Sequence, residues 1–292
     1  MNFIKYRPFY FLISALVLIP GIYSLARWGF VPSIDFTGGS LLEYRIEGES
    51  EIKKIKEILQ ELKINFESVQ TSGDQTFLIR GKTIDRQIAQ EIKDSLSEKL
   101  ETEAEEIRFE TVGPTLGKEL IKKTITAVLS ASLAILVYIA WQFKNRKFGI
   151  CAILAMFHDT LILLGSFSLL GHFLKVEIDT LFVTAVLTTL SFSVHDTVVV
   201  FDSFRENQRR HPKASFDSIA NKAMAETLIR SLNNSFTIIF MLIALLLLGG
   251  ATIKWFVAAL LIGTIAGTYS STFIAVPLLT VWESFKNKKK KK

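Results

Sequence analysis

Long apolar stretches alternate with shorter polar ones along most of the chain. Runs of about 20 mainly apolar residues are long enough to cross roughly 30 Å of hydrocarbon as a helix. Six such runs lie near 9–28, 124–143, 148–170, 179–201, 228–249 and 254–280. The pattern predicts a membrane α-helical protein with six transmembrane helices, and the first run is expected to be a retained anchor.

Between the first two runs, the apolar residues follow shorter periods. "SLLEYRIE", "NFESVQT", "QTFLIRG" and "EEIRFETV" are typical of strands, whereas "SEIKKIKEILQELK", opened by Ser50, and "IDRQIAQEIKDSLSEKL" are typical of amphipathic helices. The order β-α-β-β-α-β predicts one α+β domain of the ferredoxin-like kind. The expected parts are 1–29 with the first helix, 30–122 with the α+β domain and its connectors, 123–282 with helices two to six, and a basic tail at 283–292.

Basic residues mark alternate loops. Lys5 and Arg7 precede the first apolar run, "KNRK" at 144–147 joins the second to the third, and a lysine cluster follows the sixth. By the positive-inside rule both termini are expected in the cytoplasm. The rule therefore places residues 30–122 on the outer side of the membrane, as one extracytoplasmic insertion.

Composition narrows the class of protein further. The chain is 49% hydrophobic, and its net charge is +6, yet the segment from Glu43 to Glu110 has 17 acidic and 11 basic residues. The basic excess therefore follows membrane orientation, and we expect contact with membrane lipids but no nucleic-acid partner. Cys151 has no intrachain partner, and the predicted α+β domain has neither Cys nor His. No nucleotide-binding, zinc-protease or hydrolase motif occurs, so we expect no enzyme, no metal site and no cofactor.

Ionisable residues inside the apolar runs are candidates for function, because a charge at the bilayer centre costs at least about 2.5–3.5 kcal/mol. His158 and Asp159 lie in the third run, His195 and Asp196 in the fourth, and Arg230 near the start of the fifth. Antiparallel helices would bring Asp196 and Arg230 to similar depth, where a separable ion pair would suit a proton relay. A purely structural ion pair is the alternative.

Helical periodicity gives these residues their surroundings. The fourth run has a polar sector on one side of the helix, formed by Thr184, Thr188, Ser191 and His195 with Ala185, Thr189, Ser193 and Asp196 beside them. The fifth run has polar residues at helical spacing: Glu226, Arg230, Asn233, Asn234 and Thr237. Asp159 shares its own helix face with Ala152, Ala155 and Ser166, which favours a structural hydrogen bond. His195 adds a group that titrates near neutral pH.

Small residues recur every four positions in the sixth run. They would allow close helix packing, within the chain in preference to a dimer. They are Ala259, Gly263, Gly267 and Ser271.

Two further segments connect the α+β domain to the membrane helices. In "IDFTGG" the glycines permit a sharp change of direction, and "VGPTLG" makes the return connection. We take them as candidate hinges or struts. Their residues are Asp35, Phe36, Thr37, Gly38, Gly39, Gly113, Pro114 and Gly117.

The blocks "IDFTGG", "VGPTLGKEL", "HD", "HDTVVVFDSFREN", "ETLIRS" and "GTYSSTFIAVPL" resemble, in order and over nearly the whole chain, the SecF family of protein-export membrane proteins. The resemblance implies a fold of the resistance-nodulation-division (RND) superfamily, a partner, SecD, and a place in the bacterial cytoplasmic (inner) membrane. It also implies action beside the SecYEG channel on exported polypeptides, driven by proton motive force, with YajC and YidC as further candidate partners. It assigns Asp196 and Arg230 to the proton pathway.

One block departs from the family pattern. The family commonly has Gly-Tyr-Ser and an Asn before the Asp, where this chain has "SFSVHD". His195 therefore stands next to the carboxylate, and we expect it to shift the pH dependence of a relay. Two other functions stay open: a half-transporter of the RND class for a small molecule or lipid, and a membrane scaffold whose buried charges are structural.

Overall fold

The computed structural model describes residues 2–47, 52–71, 75–143 and 145–290. A 3₁₀ turn at Phe3–Tyr6 precedes the first helix, and a π-helical turn at Ser271–Ala275 separates the last two. The other elements, in chain order, are α1 (Arg7–Arg27), β1 (Val31–Pro32), α2 (Ile34–Thr37), β2 (Gly39–Ile46), α3 (Ile52–Glu61), β3 (Phe66–Thr71), β4 (Thr76–Gly81), α4 (Arg86–Leu100), β5 (Ala104–Val112), α5 (Pro114–Gln142), α6 (Arg146–Leu174), β6 (Glu177–Ile178), α7 (Thr180–Arg210), α8 (Phe216–Leu248), α9 (Ala251–Ser270) and α10 (Val276–Lys290).

The chain divides into two compact units. The helical unit comprises Met1–Val31 and Ala127–Lys292, and the α/β unit comprises Pro32–Thr126. Sequence patterns placed the corresponding boundaries at 30 and 122. Each unit has its own core, as expected when a membrane-spanning part and a water-exposed part bury apolar surface separately.

The α/β unit has the predicted β-α-β-β-α-β order. Its four strands are antiparallel neighbours in the order β3-β4-β2-β5, with Leu42 opposite both Ile79 of β4 and Phe109 of β5. Because side chains alternate along a strand, one face of the sheet carries the apolar set, which α3 and α4 cover with Leu59 and Ile92. The predicted fold class is therefore confirmed. Ser50, the expected start of α3, lies outside the described residues.

Six helices among the described residues are long and apolar enough to cross a membrane, as the sequence predicts. They are Phe3–Arg27, Pro114–Gln142, Arg146–Leu174, Thr180–Arg210, Phe216–Leu248 and Thr252–Phe285. In the third, fourth and sixth, 56% of the most apolar stretch is buried, against 17%, 6% and 11% in the others. The three central helices therefore form the interior, and the peripheral ones present apolar side chains such as Leu129 and Phe240 outward, as lipid contact requires.

Candidate functional site: buried carboxylates in the helical unit

Asp159 is the centre of a hydrogen-bond cluster that joins α6, α7 and α9. Its side chain is 1% exposed. Ser193 of α7 donates to Asp159 Oδ2 at 2.6 Å, and Ser270 of α9 donates to the same oxygen at 2.5 Å. His158 Nδ1 lies 2.9 Å from Asp159 Oδ1. Three partners thus satisfy a carboxylate that would otherwise be costly to bury.

His158 extends the cluster to the first helix. Its Nε2 lies 2.9 Å from Ser14 Oγ of α1. Ser14 in turn lies near Tyr269 of α9, whose hydroxyl donates to the Tyr10 carbonyl oxygen at 2.8 Å. With His158 bonded at both ring nitrogens, the cluster connects four helices.

The contact of His158 with Ser14 belongs to a regular seam between α1 and α6. Ser24 and Ser168 hydroxyls meet at 2.7 Å with the same separation in sequence, 144 residues, as Ser14 and His158. Because both contacts join residues with the same offset in sequence, the two helices run parallel and keep one register along this stretch. Between these contacts, a Cβ added to Gly21 would lie 3.1 Å from the Cα of Gly165, so the backbones touch where both residues are glycine.

Asp196 has fewer partners. It is 6% exposed, and Ser231 Oγ of α8 donates to its Oδ2 at 3.0 Å. It lies close enough to Asp159 and His195 to interact electrostatically with both. On α7 it follows Ser193 by three residues, so the two side chains share a face of the helix. The two buried carboxylates are therefore linked through α7.

Arg230 and His195, which were also candidates for the proton pathway together with Asp159 and His158, point away from the interior of this chain. Both side chains are exposed. Within the described part of the chain, no ion pair joins Arg230 to Asp196; the bond from Ser231, the next residue, holds the two at the same depth. Asp196 and Arg230 therefore lie at similar positions along their helices, as predicted, but the described residues show no ion pair between them.

The small residues of the sixth apolar run face α7 within the chain. A Cβ on Gly263 would collide with Thr189, and one on Gly267 would lie 3.5 Å from the Cα of Ser193. Ala259 and Ser271 are fully buried. Helix α9 then changes to a π-helical turn immediately after Ser270, which is the residue that contacts Asp159. Such turns often mark functional positions in helices.

The two connectors lie side by side in the α/β unit. Ser33 caps the single turn α2, which holds Asp35, Phe36 and Thr37, and Gly38 ends it at φ 74°. A Cβ on Gly38 would approach the Cα of Pro114 to 2.9 Å, and one on Gly117 would approach the Phe36 carbonyl oxygen to 3.0 Å. Gly39 has φ 123°, whereas a Cβ on Gly113 would meet nothing within 4 Å. Positive φ and close approach, conditions that favour glycine, therefore hold at Gly38 and Gly39.

Sequence reasoning did not identify the serines that bind the two carboxylates. Ser193 was placed on the same face as Asp196, but Ser14, Ser231 and Ser270 were given no role. Serine is common in membrane helices and carries no periodic signal of its own, so its partner on another helix cannot be read from its position. The described residues include no group of three or more His, Cys, Asp or Glu side chains arranged as a metal site.

Comparison with known proteins gives the family. The family described as "Protein export membrane protein SecD/SecF, C-terminal" matches residues 91–284. Proteins named "Protein translocase subunit SecF" are 43% identical in Thermobaculum terrenum, over 97% of this chain and 94% of that protein, and 38% identical in Anaerolinea thermophila, with the same coverage.

Solved structures agree in fold. The crystal structure of SecDF, a translocon-associated membrane protein from Thermus thermophilus, superposes with a TM-score of 0.85 at 30% identity. The match covers 97% of this chain and 39% of that one, so the chain spans well under half of the solved SecDF polypeptide. These similarities run through both units and all six spans. The chain therefore belongs to the SecD/SecF family of protein-export membrane proteins.

Proposed function

We propose that the chain is a SecF-type subunit of the Sec protein-export machinery, in which proton motive force acts through Asp196 to promote late steps of export. Membership of the family supports the export role, since its relatives are named as subunits of the protein translocase. The chain acts in transport and not as an enzyme, and the proton gradient replaces a cofactor.

One observation carries the proposal: a polar face lies exposed on the membrane helices beside the buried Asp196. Thr184, Thr188, Ser191 and His195 of α7 are exposed, as are Arg230, Asn233, Asn234 and Thr237 of α8. Polar and charged side chains within a bilayer normally face protein or a water-filled cavity. This face therefore requires a partner in the membrane, and a SecD subunit is the partner that the SecDF relatives support.

Arg230 and Asp196 take different places in this arrangement. Asp196 is the proton-binding group, because it is buried and has a single side-chain hydrogen-bond partner among the described residues. It also directly follows His195, which lies on the exposed polar face of α7. Arg230 lies on that surface, where its charge can interact with acceptors of the partner or with water. Ser231 couples the two, since its bond to Asp196 fixes the rotation of α8 at Arg230.

His195 lies on the same polar face and adjoins Asp196 in sequence. We propose that its imidazole tunes the pH at which the relay operates, because it adjoins the Asp196 carboxylate and interacts with it electrostatically. His195→Asn should then move the pH dependence of gradient-driven export without abolishing export. An unchanged pH profile would remove the imidazole from the proposed pathway.

The remaining partners and the orientation follow the export role. We propose that both termini lie in the cytoplasm of a bacterial cell, that the α/β unit lies outside, and that the complex works beside SecYEG on emerging polypeptides, with YajC and YidC as further associates. One proton crossing 100 mV supplies about 2.3 kcal/mol. Such a step can shift a conformational equilibrium but requires repeated cycles to move a polypeptide.

The test is export of a reporter protein into inverted membrane vesicles with and without a proton gradient. Asp196→Asn is compared with the unchanged chain at matched expression and matched association with SecD. Loss of the gradient-stimulated component alone supports the proposal. Unchanged stimulation would favour a scaffold in which the carboxylate is structural, and gradient-driven movement of a small molecule without an effect on export would favour an RND half-transporter.

A further inference from the structure

Asp159 has more hydrogen-bond partners than Asp196, the carboxylate proposed to bind the proton. It accepts hydrogen bonds from two serines, contacts an imidazole and is almost completely buried. We propose that Asp159 is a positioning residue for the proton-binding Asp196, holding α7 and α9 on α6 and, through His158, on α1. This inference rests on the proposed function, because it assigns Asp159 a part in the same proton-driven step.

The first step of the argument concerns α7. Asp159 holds Ser193 at 2.6 Å, and Ser193 lies three residues before Asp196 on the same helix face. The contact therefore sets both the depth and the rotation of α7 at Asp196. Ser231 contacts Asp196 from α8. A shift of α7 by even 1 Å would lengthen the 3.0 Å bond between Ser231 and Asp196 beyond hydrogen-bond range.

The second step concerns α9. Ser270 donates to the same oxygen of Asp159, and the regular helix ends at Ser270, where the π-helical turn begins. Thr272, within that turn, has a buried hydroxyl without a hydrogen-bond partner among the described residues. The bond from Ser270 therefore holds α9 to α6 at the residue where the regular backbone pattern of α9 ends.

The third step concerns α1. His158 contacts Asp159 with one ring nitrogen and Ser14 with the other. The contacts of Ser14 with His158 and of Ser24 with Ser168 join positions 144 residues apart, so α1 and α6 keep the same register between them. A displacement of α6 near Asp159 would therefore move α1 as well. The chain continues from α1 into the segment that precedes the α/β unit. Asp159 thus joins the helix of Asp196 to the first helix.

Both oxygens of the Asp159 side chain are in contact with polar neighbours. Ser193 and Ser270 donate to Oδ2, and His158 Nδ1 lies 2.9 Å from Oδ1. Asp196 on α7 is close enough to Asp159 to interact electrostatically with it. Asp159 is therefore held by three neighbours and in turn fixes their positions.

The experiment compares three variants in the vesicle export assay: Asp159→Ala, Asp159→Asn and, as reference, Asp196→Asn. Thr280→Ala is the control, because Thr280 of α10 is also buried and its hydroxyl donates to the Pro277 carbonyl oxygen, outside both the Asp159 cluster and the seam between α1 and α6. We expect Asp159→Ala to reduce the gradient-driven component at least about tenfold, since a small misplacement of a reacting group has effects of that size. Gradient-independent export is the internal reference.

Rescue separates positioning from bulk stability. Asn keeps the shape and hydrogen-bonding ends of Asp, so Asp159→Asn should retain gradient-driven export within about threefold of the unchanged chain. Ser193→Ala should reduce gradient-driven export in the unchanged chain but add nothing in the Asp159→Ala background, because the two residues act as one unit. If Asp159→Ala does not accumulate, the single variants Ser193→Ala and Ser270→Ala test the same contacts.

The outcomes distinguish this inference from the proposed function. If Asp196→Asn loses gradient-driven export and Asp159→Ala, or the two serine variants, keep it, the positioning role is wrong and the proposed function stands. Equal loss of the gradient-driven and gradient-independent components would reduce Asp159 to a stabilising residue. Additive losses in Asp159→Ala with Ser193→Ala would equally overturn the inference. Full activity of Asp196→Asn overturns the proposed function itself.

Discussion

The two units of the chain are held together by different forces. The core of the α/β unit is apolar: Leu59, Ile92 and Leu96 are fully buried between the helices and the sheet. The interior of the helical unit contains a carboxylate, an imidazole and several serines in contact. In water, apolar burial alone selects the packed arrangement. In lipid it does not, because the tails are as apolar as the side chains, so hydrogen bonds and small-residue contacts select the arrangement of the helices.

The comparison also explains why the helical unit tolerates buried charge. A polar group between membrane helices is costly only if it lacks a partner. Each serine around Asp159 satisfies part of the carboxylate and at the same time fixes one neighbouring helix. The α/β unit also has buried polar groups, among them Tyr44, which is fully buried and donates to the Ala89 carbonyl oxygen at 2.8 Å.

The largest expected effect is on the stability of the helical unit. Asp159→Ala leaves His158 and two serines buried without their partner, and each buried group left without a hydrogen-bond partner costs about 1–3 kcal/mol. We expect a marked loss of thermal stability in detergent, and a much smaller loss for Asp159→Asn. Equal melting temperatures for the Ala variant and the unchanged chain would show that the polar interior does not select the packing.

The apolar core gives the next effect. Ile92→Ala removes a fully buried side chain from the core of the α/β unit and should cost about 2–5 kcal/mol. The loss should be confined to that unit, which hydrogen exchange of the full chain can resolve by segment. Faster exchange in α7 and α9 as well would contradict the division into two separately stabilised units.

A close helix contact gives a smaller effect. Gly263→Ala places a Cβ against Thr189, and relief of that overlap by a shift of α7 or α9 should cost about 1–3 kcal/mol. Gly267→Ala is the matched control on the same helix, because its Cβ would make ordinary contacts at 3.5 Å or more. The melting temperatures of the two variants measure the difference. Similar values would mean that α7 and α9 are not held at this distance.

The smallest effect concerns Tyr44. Tyr44→Phe removes one buried hydrogen bond and should cost about 1 kcal/mol. Burial raises the pKa of the Tyr44 hydroxyl above its ordinary value. The folded unit therefore holds this proton more tightly than the unfolded chain does, so stability is lost as pH rises above about 10. Hydrogen exchange between neutral pH and strongly alkaline pH should show a smaller pH dependence in Tyr44→Phe.

Much of the fold followed from local patterns. The strands β2 to β5 and the helices α3 and α4 end within a few residues of the predicted segments, because alternation and helical periodicity report which side of each element is buried. The six membrane helices followed from length and hydropathy. Asp196 was found because a buried charge in an apolar run is rare enough to be noticed.

The partners of the carboxylates could not be predicted in the same way. The residues on its own helix face predicted that Asp159 makes a structural hydrogen bond. Its hydroxyl partners, however, come from α7 and α9, 34 and 111 residues further along the chain. Arg230 was expected near Asp196 and lies at its depth, but the side chain is exposed and Ser231 makes the contact.

Local patterns along the chain are sufficient to predict its elements: the membrane helices, the β-α-β-β-α-β unit, and the few ionisable residues placed in lipid. These features depend on the composition and periodicity of each segment. Packing between helices determines which buried carboxylate has all its hydrogen-bond partners, which polar residues face outward, and where α9 changes to a π-helical turn. Those features depend on the rotation and depth of one helix against another, and in lipid that choice is made by hydrogen bonds between distant residues.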